Sequence, residues 1–122
     1  MDRQSPKDPR DLEPLLISRQ HAADADGMAA LYEDGARIDD GEAHVIEGRE
    51  AIRTFFARLI ATGRKFQVGT PRASVVCGDL ALTSTRLPDG AVTAEVARRQ
   101  RDGTWLWVID HFGVASESTS NA

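Results

Sequence analysis

Two hydrophobic periods divide the chain. In residues 49–63, REAIRTFFARLIATG, the apolar set Ile52, Phe55, Phe56, Leu59 and Ile60 recurs at i, i+3, i+4, i+7 and i+8, and Gly63 supplies a stop, which predicts an amphipathic helix. A first helix is predicted over 12–23, capped by Asp11 and tolerating Pro14 in its opening turn, with Leu12, Leu15, Leu16, Arg19 and Ala23 on one face. A short helix opened by Asp24 or Asp26 should end near Tyr32, followed by a short strand over 35–39 and a loop, DGEAHVIEG, before the amphipathic helix. From Lys65 onward the period becomes two. Strands are predicted over 66–70, 73–77, 80–87, 91–101 and 104–115, divided by Pro71, Gly78-Asp79, Pro88-Asp89-Gly90 and Asp102-Gly103, the last two being hairpin signals. Helices followed by an antiparallel meander make an α+β domain, with the helices on one face of a curved sheet that leaves a conical pocket.

The ends break both periods. Residues 1–10 are polar with two prolines and 116–122 read SESTSNA, so a flexible N-terminal segment (1–10), one domain (11–115) and a flexible C-terminal tail (116–122) are expected. The 122 residues suit a single core. A net charge of -4, with no stripe of Lys and Arg, argues against a nucleic-acid partner. No apolar window is long enough to span a bilayer and the first ten residues lack a signal-peptide centre, so a cytoplasmic location without membrane attachment is expected. The single cysteine, Cys77, excludes an internal disulfide and reads as a small buried hydrophobe in ASVVC. Asp40, Glu42 and His44 recur at period two without a fourth ligand, and no phosphate-binding or dinucleotide motif is present, so neither metal nor cofactor is expected.

The final apolar run, TWLWVIDHFGV, carries Asp110 beside His111. Strand alternation sends adjacent side chains to opposite faces, so the two cannot form a dyad. Alternation puts Leu106, Val108, Asp110, Phe112 and Val114 on one face and Trp105, Trp107, Ile109, His111 and Gly113 on the other. Both faces are apolar, so one should pack on helices and the other on a second copy of the chain, making a homodimer with both tryptophans in its interface.

The motifs DADGMAALYEDGA (24–36), EGREAIRTFF (47–56), GDLAL (78–82) and RRQRDGTW (98–105) resemble those of the nuclear transport factor 2-like superfamily, over about residues 12–115. That superfamily includes ketosteroid isomerase and the SnoaL-like polyketide cyclases, and the resemblance implies a cystatin-like conical barrel, its N-terminal helices packed in a strongly curved, mainly antiparallel sheet. It also implies site residues. LYEDGARIDD (31–40) aligns Asp40 with the general base of ketosteroid isomerase, whose acidic oxyanion donor falls near Glu95 and whose tyrosine falls near Leu16, which cannot donate. Asp110 resembles the acidic residue that SnoaL-like cyclases and limonene-epoxide-hydrolase-type enzymes carry on the last strand, on a pocket wall with Val108 and Phe112.

Together these readings make Asp40, Asp110 and Glu95 the candidate catalytic residues, and Tyr32, Phe56, Arg86, Val108 and Phe112 the candidate substrate-binding residues. A carboxyl held among apolar side chains has a raised pKa, which suits acid-base work near neutral pH. The expected activity is cofactor-independent isomerisation, cyclisation or dehydration alpha to a carbonyl, on a small apolar, polyketide-like or steroid-like molecule. The alternatives are epoxide-hydrolase-type water activation by Arg86 with Asp110, and a non-enzymatic ligand-binding or dimerisation module.

Overall fold

The helix predicted over 12–23 forms from Leu12 to His21 (α1) in the computed structural model of the chain, which describes residues 3–116. A 3-10 turn, Pro9–Asp11, leads into it and is closed by a capping box between Asp8 and Asp11. Helix α2, Ala25–Ala29, starts where the Asp24 carboxylate accepts the Gly27 N–H. Helix α3, Arg49–Ala61, carries the predicted stripe, with Ile52 and Phe56 fully buried, and ends at Gly63 in a left-handed conformation, φ 78°. Among the described residues no helix is long and apolar enough to cross a membrane.

The sheet contains β1 (Tyr32–Asp39), β2 (Val45–Glu47), β3 (Thr70–Pro71), β4 (Val75–Cys77), β5 (Leu80–Thr83), β6 (Thr85–Arg86), β7 (Ala91–Arg99) and β8 (Trp105–Ser116). Its order is β2-β1-β8-β7-β5-β4, with β6 on β7 and β3 on β6. All neighbours are antiparallel except β1 and β8, which run parallel because helix α3 and the rest of the sheet intervene between them in sequence. The α+β, cystatin-like architecture is therefore the expected one, as an open sheet that curves around the helices. The core lies between them, where Leu12, Leu16, Met28, Tyr32, Phe56 and Trp107 pack together.

Several local expectations change. The strand expected over 66–70 is reduced to Thr70–Pro71 because α1 takes the backbone partners of Phe66. The buried Gln20 amide accepts the Phe66 N–H at 3.1 Å and donates to the Arg64 carbonyl at 2.7 Å, and a His21 ring nitrogen lies 2.8 Å from the Phe66 carbonyl. The predicted 80–87 strand is broken at Ser84, whose hydroxyl bonds the Thr93 carbonyl. Cys77 is exposed on the short strand β4 rather than buried. The N-terminal segment is tied down from residue 3: Arg3 pairs with Asp24, the buried Arg19 guanidinium donates to the carbonyls of Gln4 and Gly27, and the Trp105 N–H donates to the Pro6 carbonyl. Of the tail expected at 116–122, residues 117–122 lie outside the described residues.

One irregularity decides which side chains face the core. In the β7–β8 ladder Val96 pairs with Ile109 but Ala97 pairs with Trp107, so Val108 is an extra residue on β8. Each bulged residue reverses the alternation, which puts Trp105 and Trp107 on the same inner face as Asp110. The tryptophans are thus core residues, 6% and 1% exposed, and not the outward pair expected for a subunit interface. Leu106 pairs with the exposed Arg98 and lies on the outer face with Ile109.

Candidate functional site

Between α1 and the inner face of β5, β6 and β7 lies a cavity of about 770 Å³. Helix α1 contributes Glu13 and Ile17, and the sheet contributes Thr83, Thr85, Glu95 and Trp107. The exposed Arg10, His21 and Arg72 form its rim. Its apolar wall and few polar groups are those of a small-molecule site.

Glu95 is 3% exposed and receives the Thr83 hydroxyl at 2.7 Å and a second side-chain hydrogen bond from Thr93. Both threonines lie on the same faces as Glu95 by strand geometry: Thr83 is its cross-strand partner and Thr93 is two residues before it. Burial raises the Glu95 carboxyl above its usual range, while the two hydroxyls pull it back toward the ionised form. Register then places Asp110 directly across from Glu95, and Ile38 on its other side.

Asp110 is 3% exposed and accepts the Tyr32 hydroxyl at 2.6 Å. Burial, then the neighbouring Glu95, hold its carboxyl well above the usual range despite the Tyr32 bond. Burial and Asp110 also raise the Tyr32 phenol. On the facing helix, burial and then Glu95 push Glu13 up to about 7. What raises these three carboxyls is burial, with Glu95 adding to it for Glu13 and Asp110. The described residues hold no cluster of three or more His, Cys, Asp or Glu side chains arranged for a metal ion. Burial therefore raises all three carboxyls, and Glu95 is the one among them that two hydroxyls pull back toward the ionised form.

The other expected site residues lie elsewhere. Asp40 follows β1 in the turn to β2, where its carboxylate accepts the N–H groups of Glu42 at 2.7 Å and His44 at 3.2 Å and meets the His44 ring at 3.1 Å. Those bonds hold it below the usual carboxylate range, the reverse of what a base near neutral pH needs. It is a loop-forming residue outside the cavity wall. Phe56 is sealed in the core against Tyr32 and Phe66. Phe112 packs on Phe55 with ring centroids 5.9 Å apart. Val108 is the bulged residue and Arg86 is exposed on β6, and neither is in the cavity wall. Asp110 itself sits behind Glu95 rather than in the wall. His111 faces outward, as alternation predicts relative to Asp110, with its Nε2 3.6 Å from Asp39.

Glu13, Thr83, Thr93 and Trp107 were not singled out in the sequence as site residues. Glu13 is the charged position on α1 that turns toward the sheet, a placement that the helix pattern, with Leu12, Leu16 and Ile17 all buried, does not separate from a solvated one.

A family model described as SnoaL-like domain matches residues 16–118. None of the curated proteins is matched by the sequence. A solved structure described as a putative calcium/calmodulin-dependent protein kinase type II association domain, from Thiobacillus denitrificans, superposes with a TM-score of 0.76 at 17% identity, covering 88% of this chain and 95% of that one. An NTF2-like protein with a cystatin-like fold from Novosphingobium aromaticivorans gives 0.69 at 20% identity, covering 93% and 81%. A function-unknown protein from Mycobacterium tuberculosis gives 0.72 at 17%, covering 91% and 70%. At these identities the likeness is one of fold.

Proposed function

This chain belongs to the SnoaL-like domain family, and on that premise we propose that it is a cofactor-independent acid-base enzyme acting next to a carbonyl of a small, largely apolar molecule. The observation that carries the reading is Glu95: a buried carboxyl in the wall of an apolar cavity, held by two hydroxyls and backed by the hydrogen-bonded Asp110-Tyr32 pair. The cavity volume of about 770 Å³ suits a molecule of polyketide or steroid size.

In this reading the Glu95 carboxylate takes a proton from the carbon alpha to the carbonyl. The C–H electron pair forms the enolate, whose oxygen gains the negative charge. Glu13, protonated below about pH 7, faces the same cavity and supplies a proton toward that oxygen. Asp110 does not touch the ligand. It pairs across the ladder with Glu95, and its raised carboxyl favours the proton-bound form there. Return of the proton at another carbon gives isomerisation, loss of a beta hydroxyl gives dehydration, and attack of the enolate on a second carbonyl gives cyclisation. Water activation by Arg86 with Asp110 is the less favoured reading, because Arg86 is exposed on β6 while Asp110 is buried behind Glu95.

The test is deuterium incorporation alpha to the carbonyl of 1-tetralone in heavy water, followed by proton NMR. The wild-type chain should accelerate it, and Glu95→Gln should lose roughly 10²-fold or more of the acceleration. Equal rates for the two would remove Glu95 from the chemistry.

We also infer that two copies associate through the outer face of the sheet. Val75, Leu82, Val96 and Ile109 are successive cross-strand partners over four adjacent strands. Val75, Leu82 and Ile109 are 61%, 51% and 52% exposed, and Leu80 extends the apolar patch on the same face. A contiguous apolar row of this width on a strand surface is the kind of patch that a second copy covers.

A further inference from the structure

Among the described residues, the indole Nε1 of Trp107 is the only buried side-chain polar atom without a hydrogen-bond partner. An indole N–H only donates, so whatever satisfies it must be an acceptor. Buried donors are nearly always paired, and the exceptions call for an explanation. Trp107 is also a residue of the cavity wall, 1% exposed, with its ring 5.1 Å from the ring of Tyr32. It reaches that wall through the Val108 bulge, which puts Trp107 and Asp110 on one face although they are three residues apart in a strand. Bulges that re-aim a side chain concentrate beside active sites.

The polar groups around it are already committed. Glu95 is held by Thr83 and Thr93, Thr93 accepts the Thr85 N–H at 3.0 Å, and Asp110 is held by Tyr32. The Trp107 N–H is a buried donor of that wall with no partner of its own.

We propose that the Trp107 indole N–H is the hydrogen-bond donor to the ligand's carbonyl oxygen, which fixes the substrate class as an apolar molecule that presents a ketone-type oxygen to the inner end of the cavity. This rests on the reading of Glu95 as base. As the C–H bond alpha to the carbonyl breaks, its proton goes to the Glu95 carboxylate and the electron pair shifts toward the oxygen. The indole keeps its proton throughout, and its hydrogen bond strengthens as the oxygen becomes an enolate. Catalysis by such a donor is worth most in a buried setting, and this nitrogen is buried.

The chain has two tryptophans, so an indole-region proton-nitrogen NMR spectrum of the labelled wild-type protein contains two resonances, and Trp105→Phe assigns them. Saturating 1-tetralone should move the Trp107 N–H downfield and leave Trp105 in place. Tetralin, which has the same rings and no oxygen, should not produce that shift. Trp107→Phe, if its circular dichroism matches wild type, should lose roughly 10²-fold in the deuterium-exchange kcat with little change in KM. A Trp107 resonance that stays still with 1-tetralone, including through failure to bind, or that moves equally with tetralin, overturns the proposal. If Glu95→Gln abolishes exchange while the indole does not respond, this inference alone falls. If the indole responds while Glu95→Gln exchanges normally, the acid-base reading falls and the ligand contact stands.

Discussion

Tyr32 and Asp110 are 78 positions apart in the chain and 2.6 Å apart in the core, the phenol donating to the carboxyl Oδ2. The contact joins the first strand to the last. Tyr32→Phe leaves a buried carboxyl oxygen without its donor and should lower stability by about 1–3 kcal/mol, read as a drop in urea midpoint. Asp110→Asn should behave differently. A carboxyl whose folded pKa is raised costs stability as pH climbs above its unfolded value, so the neutral amide should match or exceed wild type at pH 8. An Asp110→Asn midpoint well below wild type at that pH would show that the fold needs the anion.

Glu13 makes the same argument with a defined window. Its unfolded value is near 4.5 and its folded value about 7, so below pH 4.5 both states hold the proton and nothing is lost. Between those values the unfolded chain releases a proton that the folded chain keeps, and stability falls as pH rises, levelling off above about 7. The full loss is at most about 3 kcal/mol. Glu13→Gln should remove that slope and raise the melting temperature at pH 8 more than at pH 5. Parallel pH profiles for the variant and wild type would show that Glu13 is solvated.

The helices and the meander were legible because their periods are strong, as in the Ile52-Phe56 stripe and the Asp102-Gly103 turn that joins β7 to β8. Glu95 and Asp110 were legible as charges inside apolar strands. The inner and outer faces of β8 were not. WLWVI is apolar at every position, so nothing in it marks Val108 as the extra residue, and the bulge is fixed only by pairing with β7. Asp40 lies in the turn rather than in the cavity wall for a related reason. A gap-free run places it one residue past β1, but the side-chain direction there is set by the turn, which takes its carboxylate for backbone N–H groups.

That assignment yields its own expectation. Asp40→Ala should remove the acceptor for Glu42 and His44 and loosen the β1–β2 connection, costing about 1 kcal/mol by urea denaturation. Exchange into 1-tetralone should stay within about twofold of wild type, because the loop is outside the cavity wall. A loss as deep as that of Glu95→Gln would return Asp40 to the chemistry.

The outer sheet face separates assembly from catalysis. Leu82 and Ile109 belong to one cross-strand row, joined through Val96, and both project away from the cavity. A stable dimer needs roughly 800 Å² buried per copy, with a dry apolar centre. Lysine at these two positions keeps the long aliphatic stems but places cations in that centre, where a twofold axis brings them near their own symmetry mates. Leu82→Lys with Ile109→Lys should therefore sediment as a monomer at micromolar concentration where wild type sediments as a dimer. Its tryptophan emission should be unchanged, because Trp105 and Trp107 are inside the fold rather than in the interface. A wild-type monomer at the same concentration would reject this face as the subunit contact, and a shift in emission on dissociation would mean that the tryptophans sense the partner after all.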